Sequence, residues 1–206
     1  MSISVKLAGV TKKYRSQGGI EDLTVTFDDR RLNLLVGPNG SGKSTLLKCI
    51  VGVVRYEGSI VATPRSIGYA PEEYLLPQFM SAREFLHAVG RVRDVERAIL
   101  TDRIEEMLGY FGLSDHAHKP FIGLSNGMKQ KVNLIQAVLN RPKILLFDEP
   151  LKALDDEGRE RAAALIRERS KESLVIVSTH YPERFRVKNR RIVRLDLGRI
   201  VDENDA

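Results

Sequence analysis

Between an unbroken apolar run, LNLLV at 32–36, and a helical pattern beginning at Lys43 lies GPNGSGKST, residues 37–45. It matches G-x-x-x-x-G-K-[ST], and a loop of that kind constrains the fold on both sides. A run without alternation is a strand buried on both faces of a parallel sheet. The stretch after the loop predicts a helix of about ten residues stopping near Gly52. Glycines let the backbone wrap a polyphosphate so that several N–H groups converge on its oxygens. Lys43 then adds a point charge, and Ser44 offers a hydroxyl to Mg2+. Residues Gly37, Pro38, Asn39, Gly40, Ser41, Gly42, Lys43, Ser44 and Thr45 are therefore the first candidate binding residues.

The chain around this loop follows the same logic. ISVKLAGV and DLTVTF read as short N-terminal strands, and residues 59–70 as two more. Ala82, Phe85, Leu86 and Val89, then Ile104, Met107, Leu108 and Phe111, repeat at zero, three, four and seven, predicting two amphipathic helices with a stop at Gly112. From residue 123 the order returns to alternating helix and strand: a helix on Met128, Val132, Ile135 and Leu139, the strand KILLF, a helix over 156–170, the strand SLVIVS and a hairpin around LDLG. The tail DENDA reads as loose. The expected fold is α/β: a P-loop core with a mainly parallel sheet, an N-terminal antiparallel β region and an inserted helical subdomain. We expect one domain over 1–206, with core at about 1–72 and 123–206 and the insertion at about 73–122.

Two further places can carry chemistry. KILLFDEP delivers Asp148 and Glu149 at the carboxyl end of a buried strand, where open parallel sheets place their ligands. Asp148 suits the Mg2+ shell, and Glu149 suits polarising an attacking water. GLSNGMKQK opens a helix on Ser125, Asn126 and Gly127, whose unpaired N–H groups and dipole suit an anion.

Composition excludes little beyond membrane spanning. No segment approaches the run of about 18 apolar residues that crosses a bilayer, and the alternating N-terminus lacks a secretion signal, so a cytoplasmic location is expected. The formal charge of +6 permits an anionic partner. Its basic residues are scattered without interleaved aromatics, so a nucleic-acid partner is not expected, whereas a basic face near lipid headgroups is compatible. Cys49, the single cysteine, sits among Leu46, Leu47 and Ile50 and reads as packing. His116 and His118 form a lone HxH and read as surface.

The order of these motifs resembles the nucleotide-binding subunit of the ATP-binding cassette family over almost the whole chain. GPNGSGKST looks like Walker A, ILLFDEP like Walker B, LSNGM like the signature LSGGQ, ALD at 153–155 like the D-loop, and His180 in IVSTH like the switch histidine. Tyr14 stands where the family stacks an aromatic on adenine. Periodicity alone also fits Tyr14 to edge packing and His180 to a structural histidine. The resemblance implies ATP and Mg2+ as ligands, catalysis through Lys43, Glu149 and His180, and head-to-tail pairing. In that pairing Ser125, Asn126 and Gly127 of one subunit face the γ-phosphate held by the other.

Three positions depart from the family pattern. Asn126 replaces a glycine, and asparagine tolerates a left-handed backbone. Met128 replaces a glutamine and removes one side-chain hydrogen bond. Glu72, in IGYAPEEY, replaces the Q-loop glutamine; it can still reach Mg2+, with Ser44 and Asp148, but adds negative charge beside the triphosphate. The resemblance further implies separate transmembrane permease subunits, docking near the apolar cluster of Tyr74, Leu75, Leu76, Phe79 and Met80. That cluster also fits internal packing. PEE and SNGMKQK resemble exporter subunits, which places the chain on the cytoplasmic face of the cell membrane. The alternatives are a soluble cassette ATPase acting on nucleic acid or ribosomes, a weakly active regulatory subunit, and a small P-loop kinase.

Overall fold

The computed structural model describes residues 3–15, 18–29 and 31–205, with only the backbone of Asp205. Its elements run β1 (Ser4–Lys13), β2 (Gly19–Asp28), β3 (Leu32–Val36), α1 (Lys43–Val51), β4 (Glu57–Thr63), β5 (Ile67–Ala70), α2 (Ala82–Val92), α3 (Arg97–Tyr110), α4 (Asn126–Val138), β6 (Ile144–Asp148), α5 (Asp156–Arg169), β7 (Leu174–Ser178), β8 (Arg190–Asp196) and β9 (Arg199–Asp205). Two sheets result. One is antiparallel in the order β2-β1-β4; the other has the order β5-β6-β7-β3-β8-β9, parallel throughout except for β9.

Every residue of β3, β6 and β7 is buried. Side chains alternate across a strand, and each of these strands feeds two cores. Leu35, Leu146 and Ile176 pack with α1 and the antiparallel sheet, while Leu34, Phe147 and Val177 pack against the helices of the opposite face. Helix α1 thus lies between the two sheets, with Leu46, Leu47 and Cys49 fully enclosed and its polar N-terminus at the sheet's carboxyl edge. Burial pushes the Cys49 thiol up to about 11, so it packs as an inert apolar group.

Helices α2 and α3 share that core, since Leu86, Leu100 and Ile104 lie in one buried cluster with Leu34, Phe147 and Val177. Ser81 and Glu84 close a reciprocal capping box at the start of α2. Gly90 lets α3 approach closely, since a Cβ there would stand 2.3 Å from Leu100 Cδ1. Phe85 meets the buried Phe121 edge to face at 5.5 Å.

The C-terminal tail departs from expectation. Instead of being loose, Asp202–Asp205 pairs antiparallel with Arg194–Arg191. An acidic segment without apolar alternation reads as disordered by itself, but here it lies against an arginine-rich strand. Arg191 pairs with Glu203, and Arg194 stands 3.9 Å from Asp202. Ala206 lies outside the described residues.

Candidate nucleotide site

The phosphate loop joins β3 to α1, and its glycines are needed because backbone approaches from two directions. A Cβ on Gly37 would come within 2.1 Å of the Leu195 carbonyl oxygen, and one on Gly42 within 2.7 Å of the Gly19 carbonyl oxygen. Gly42 also has φ 102° and supplies no side-chain cap, so the first N–H groups of α1 keep their donor capacity for a ligand. Lys43 is buried and folds back across the loop, donating to the carbonyl oxygens of Gly37 at 2.8 Å and Pro38 at 3.1 Å. The buried Ser41 hydroxyl has no partner among the described residues.

Parallel pairing of β6 with β7 sets Asp148 opposite Ser178. The Asp148 Oδ1 accepts from the hydroxyls of Ser44 at 3.0 Å and Ser178 at 2.5 Å, while its Oδ2 is buried without a partner. Burial holds this carboxyl above its usual range, and the two hydroxyls pull it partly back. A divalent cation fits these groups, because an orphaned carboxylate oxygen beside a serine hydroxyl is a hard-oxygen donor pair. No cluster of three or more His, Cys, Asp or Glu among the described residues could hold a metal. An ion here would therefore share its shell with phosphate oxygens, as Mg2+ ordinarily does.

Glu149 follows in a left-handed backbone conformation, φ 47°. Its N–H reaches the Ser178 carbonyl at 3.2 Å and the Ser178 hydroxyl at 3.0 Å, which fixes the turn. Its carboxylate faces His180 Nε2 at 3.4 Å. Burial raises the Glu149 carboxyl from 4.5 to about 7, against the opposing fields of Lys43 and a His180 backbone hydrogen bond, with Asp148 and Glu72 adding to the rise.

That shift has a measurable consequence for the free protein. Between about 4.5 and about 7 the folded state keeps a proton that the unfolded chain has lost, so this group's contribution to stability falls as pH rises through that window. Glu149→Gln removes the effect. In EDTA without nucleotide the variant should gain on the wild type from pH 5 to pH 8 by about 2 kcal/mol, which is several degrees of Tm. Melting curves that stay parallel across that range would show that the carboxylate is not desolvated.

A cavity of about 250 Å³ is lined by the loop from Asn39 to Thr45, by Glu72, Glu149 and His180, and by Tyr14 with Gly18 and Gly19. The Tyr14 ring is 38 % exposed and carries the Lys12 ammonium 5.0 Å from its centroid. Glu72 does reach the cavity, but its Oε1 is held by Lys152 Nζ at 2.5 Å rather than by Ser44 or Asp148.

Ser125, Asn126 and Gly127 do not line this cavity. Ser125 caps α4, its hydroxyl oxygen accepting the Met128 N–H at 3.2 Å, which leaves its own proton free to donate. Asn126 is the first helical residue and is not left-handed, so the tolerance invoked for asparagine there is not needed. Gly127 is the position that demands glycine: a Cβ would stand 2.8 Å from the Ala153 carbonyl oxygen.

Three features of the surroundings are not apparent from the motifs. Ser178 bridges the two acidic residues. Lys152 claims Glu72. Along α4, Gln130, Asn133 and Gln136 are buried and donate to the carbonyl oxygens of Pro150 at 3.1 Å, Pro71 at 2.9 Å and Tyr69 at 2.7 Å. This ladder ties the helix to both loops that leave the sheet beside the cavity. Its signal in the sequence is the set of amides at i, i+3 and i+6 within an otherwise apolar helix face.

Comparison with known proteins follows the same lines. A family model described as ABC transporter matches residues 20–152. The uncharacterized ABC transporter ATP-binding protein YxlF of Bacillus subtilis is 34 % identical over 85 % of this chain and 62 % of its own length. The sulfate/thiosulfate import ATP-binding protein CysA of Nocardia farcinica is 30 % identical over 95 % of this chain and 63 % of its own. This chain thus spans less than two thirds of either relative. A dimeric post-hydrolysis structure of the ATP-binding cassette MJ0796, bound to ADP and Pi, superposes with TM-score 0.86 at 25 % identity, covering 98 % of both chains. A relative named for import gives no support to the exporter direction that the sequence suggests.

Proposed function

The chain belongs to the ABC transporter ATP-binding family, and from that premise we propose that it is an ATP-hydrolysing subunit that drives a membrane transporter by closing head to tail on a second cassette. One observation carries this reading. The N-terminus of α4, with the Ser125 proton and the Asn126 and Gly127 N–H groups, is built for an anion yet stands outside the chain's own phosphate cavity. A second chain turned through a two-fold axis would bring that helix end to the γ-phosphate. The MJ0796 cassette, a dimer with ADP and Pi, supports the pairing by likeness.

In this reading the loop N–H groups and Lys43 neutralise the phosphates, for which Lys43 exchanges the Gly37 and Pro38 carbonyls. Tyr14, in the cavity lining, supports the base. Ser44 and Asp148 would hold Mg2+, which supplies charge neutralisation of the β- and γ-phosphate oxygens. Glu149, with a carboxyl near 7, is matched to accept a proton from the attacking water at neutral pH, and His180 beside it donates to the γ-phosphate.

Among the described residues no helix is long and apolar enough to cross a membrane, and the transporter reading pairs this chain with membrane subunits at the cytoplasmic face. The segment after Glu72 supports this. Leu75 and Phe79 are 102 % and 87 % exposed, and Phe79 and Met80 border a groove of about 1040 Å³ beside α2 and α3. Of the apolar cluster around them, Leu76 packs on the core while Leu75 and Phe79 face outward. A short amphipathic helix of the membrane subunit suits such a groove.

Leu75→Glu and Phe79→Asp should leave the melting temperature and ATP affinity of the isolated chain unchanged while abolishing co-purification with membrane subunits from detergent extracts. Loss of folding would mean the cluster is internal packing. Intact folding with wild-type co-purification, or co-purification with ribosomes instead, would overturn the membrane-docking assignment.

A further inference from the structure

We infer that Lys152 is a positioning residue that holds the Glu72 carboxylate in the lining of the nucleotide cavity and offsets its charge there, so that the cavity's affinity for a polyphosphate depends on the pair. This rests on the ATP-binding reading above. Glu72 lines the cavity together with Glu149, and among the described lining residues Lys43 is the only lysine or arginine. A polyphosphate entering such a site meets the Glu72 carboxylate and the Glu149 carboxyl, which ionises near pH 7, against one ammonium, with Asp148 bonded to the lining Ser44. Lys152 supplies the second cation: its Nζ stands 2.5 Å from Glu72 Oε1.

The backbone fixes that cation in place. Glu149 turns left-handed after β6, and the Lys152 N–H closes the turn on the Glu149 carbonyl oxygen at 3.1 Å. Lys152 therefore stands one turn beyond Glu149, 80 residues from Glu72 in sequence, in the turn that follows β6. Glu72 lies where the chain leaves β5 for the helical insertion. Both side chains are partly solvated, at 65 % and 31 % exposure, and an ion pair so placed does little for stability. Its effect lies in the field inside the cavity that Glu72 lines, where one unpaired charge shifts the affinity of a polyanion several-fold.

The test measures binding of a fluorescent ATP analogue to the full chain in EDTA and in Mg2+, for wild type, Lys152→Ala, Glu72→Gln and the double variant. Thermal melting of each shows that it is folded. In EDTA, Lys152→Ala should bind about three- to tenfold more weakly, Glu72→Gln as well as wild type or better, and the double variant within about twofold of wild type. Salt should shrink the Lys152→Ala defect. In Mg2+ the defect should also shrink, because the released Glu72 carboxylate becomes available to the ion. Wild-type affinity for Lys152→Ala in both buffers, or the same loss whether position 72 is Glu or Gln, overturns the inference while leaving ATP binding intact. Failure of all four folded proteins to bind in either buffer overturns the ATP reading itself, and the inference with it.

Discussion

Glu149→Gln is expected to lower ATP turnover by at least about a hundredfold, the scale of a lost general base, while the affinity for nucleotide is unchanged or tighter. The substitution is isosteric and keeps the left-handed backbone at φ 47°, with both amide contacts to Ser178. What it removes is the proton acceptor facing His180, together with the negative charge that this carboxyl carries once ionised above about pH 7, in a cavity already holding Glu72. Binding and chemistry should therefore separate. Titration with a fluorescent ATP analogue measures the first, and single-turnover phosphate release the second. A variant that hydrolyses at the wild-type rate would remove Glu149 from the base role and leave the geometry of the Asp148–Ser44 pair to be explained another way.

Gly127→Asp should be equally damaging by a different route. A Cβ at 127 lies 2.8 Å from the Ala153 carbonyl oxygen, a backbone atom that cannot rotate away. The new carboxylate also stands in the first turn of α4, where it stabilises the helix but repels the anion the helix end is built to meet. Residue 127 does not line the chain's own cavity, so binding of nucleotide to the single chain should stay within about twofold of wild type. Turnover should fall by about a hundredfold or more, as when a preorganised donor to a developing negative charge is lost. Weakened binding in the single chain would mean that α4 serves its own phosphate loop, and the two-chain arrangement would lose its main support.

The parts of this structure legible in sequence are those whose physics is local. A glycine-rich loop between a run of LNLLV and a helix announces both its fold and its ligand class, and amphipathic spacing locates α2 and the end of α3, although α3 starts at Arg97, well before its first periodic position at Ile104. Parts that depend on a distant partner are not legible. The acidic tail extends β9 along a strand that sets Arg191 and Arg194 opposite it. Lys152 carries no motif and gains its meaning from Glu72, 80 residues away. Ser178 reads as the end of an apolar strand until parallel register sets it against Asp148. Asn126 is helical, so the signature loop asks for no left-handed residue there, and the position that needs glycine is the next one, for a contact with Ala153 that no spacing rule reveals.

The central claim is that each chain holds half of a nucleotide cage, and sedimentation of the Glu149→Gln protein tests it most directly. With saturating Mg·ATP the mass should double from that of one 23.2 kDa chain, and it should return to one chain when nucleotide is removed or Gly127→Asp is added. A Glu149→Gln protein that stays at one chain in Mg·ATP at the highest concentration reached, or that doubles equally well with Gly127→Asp, would contradict it.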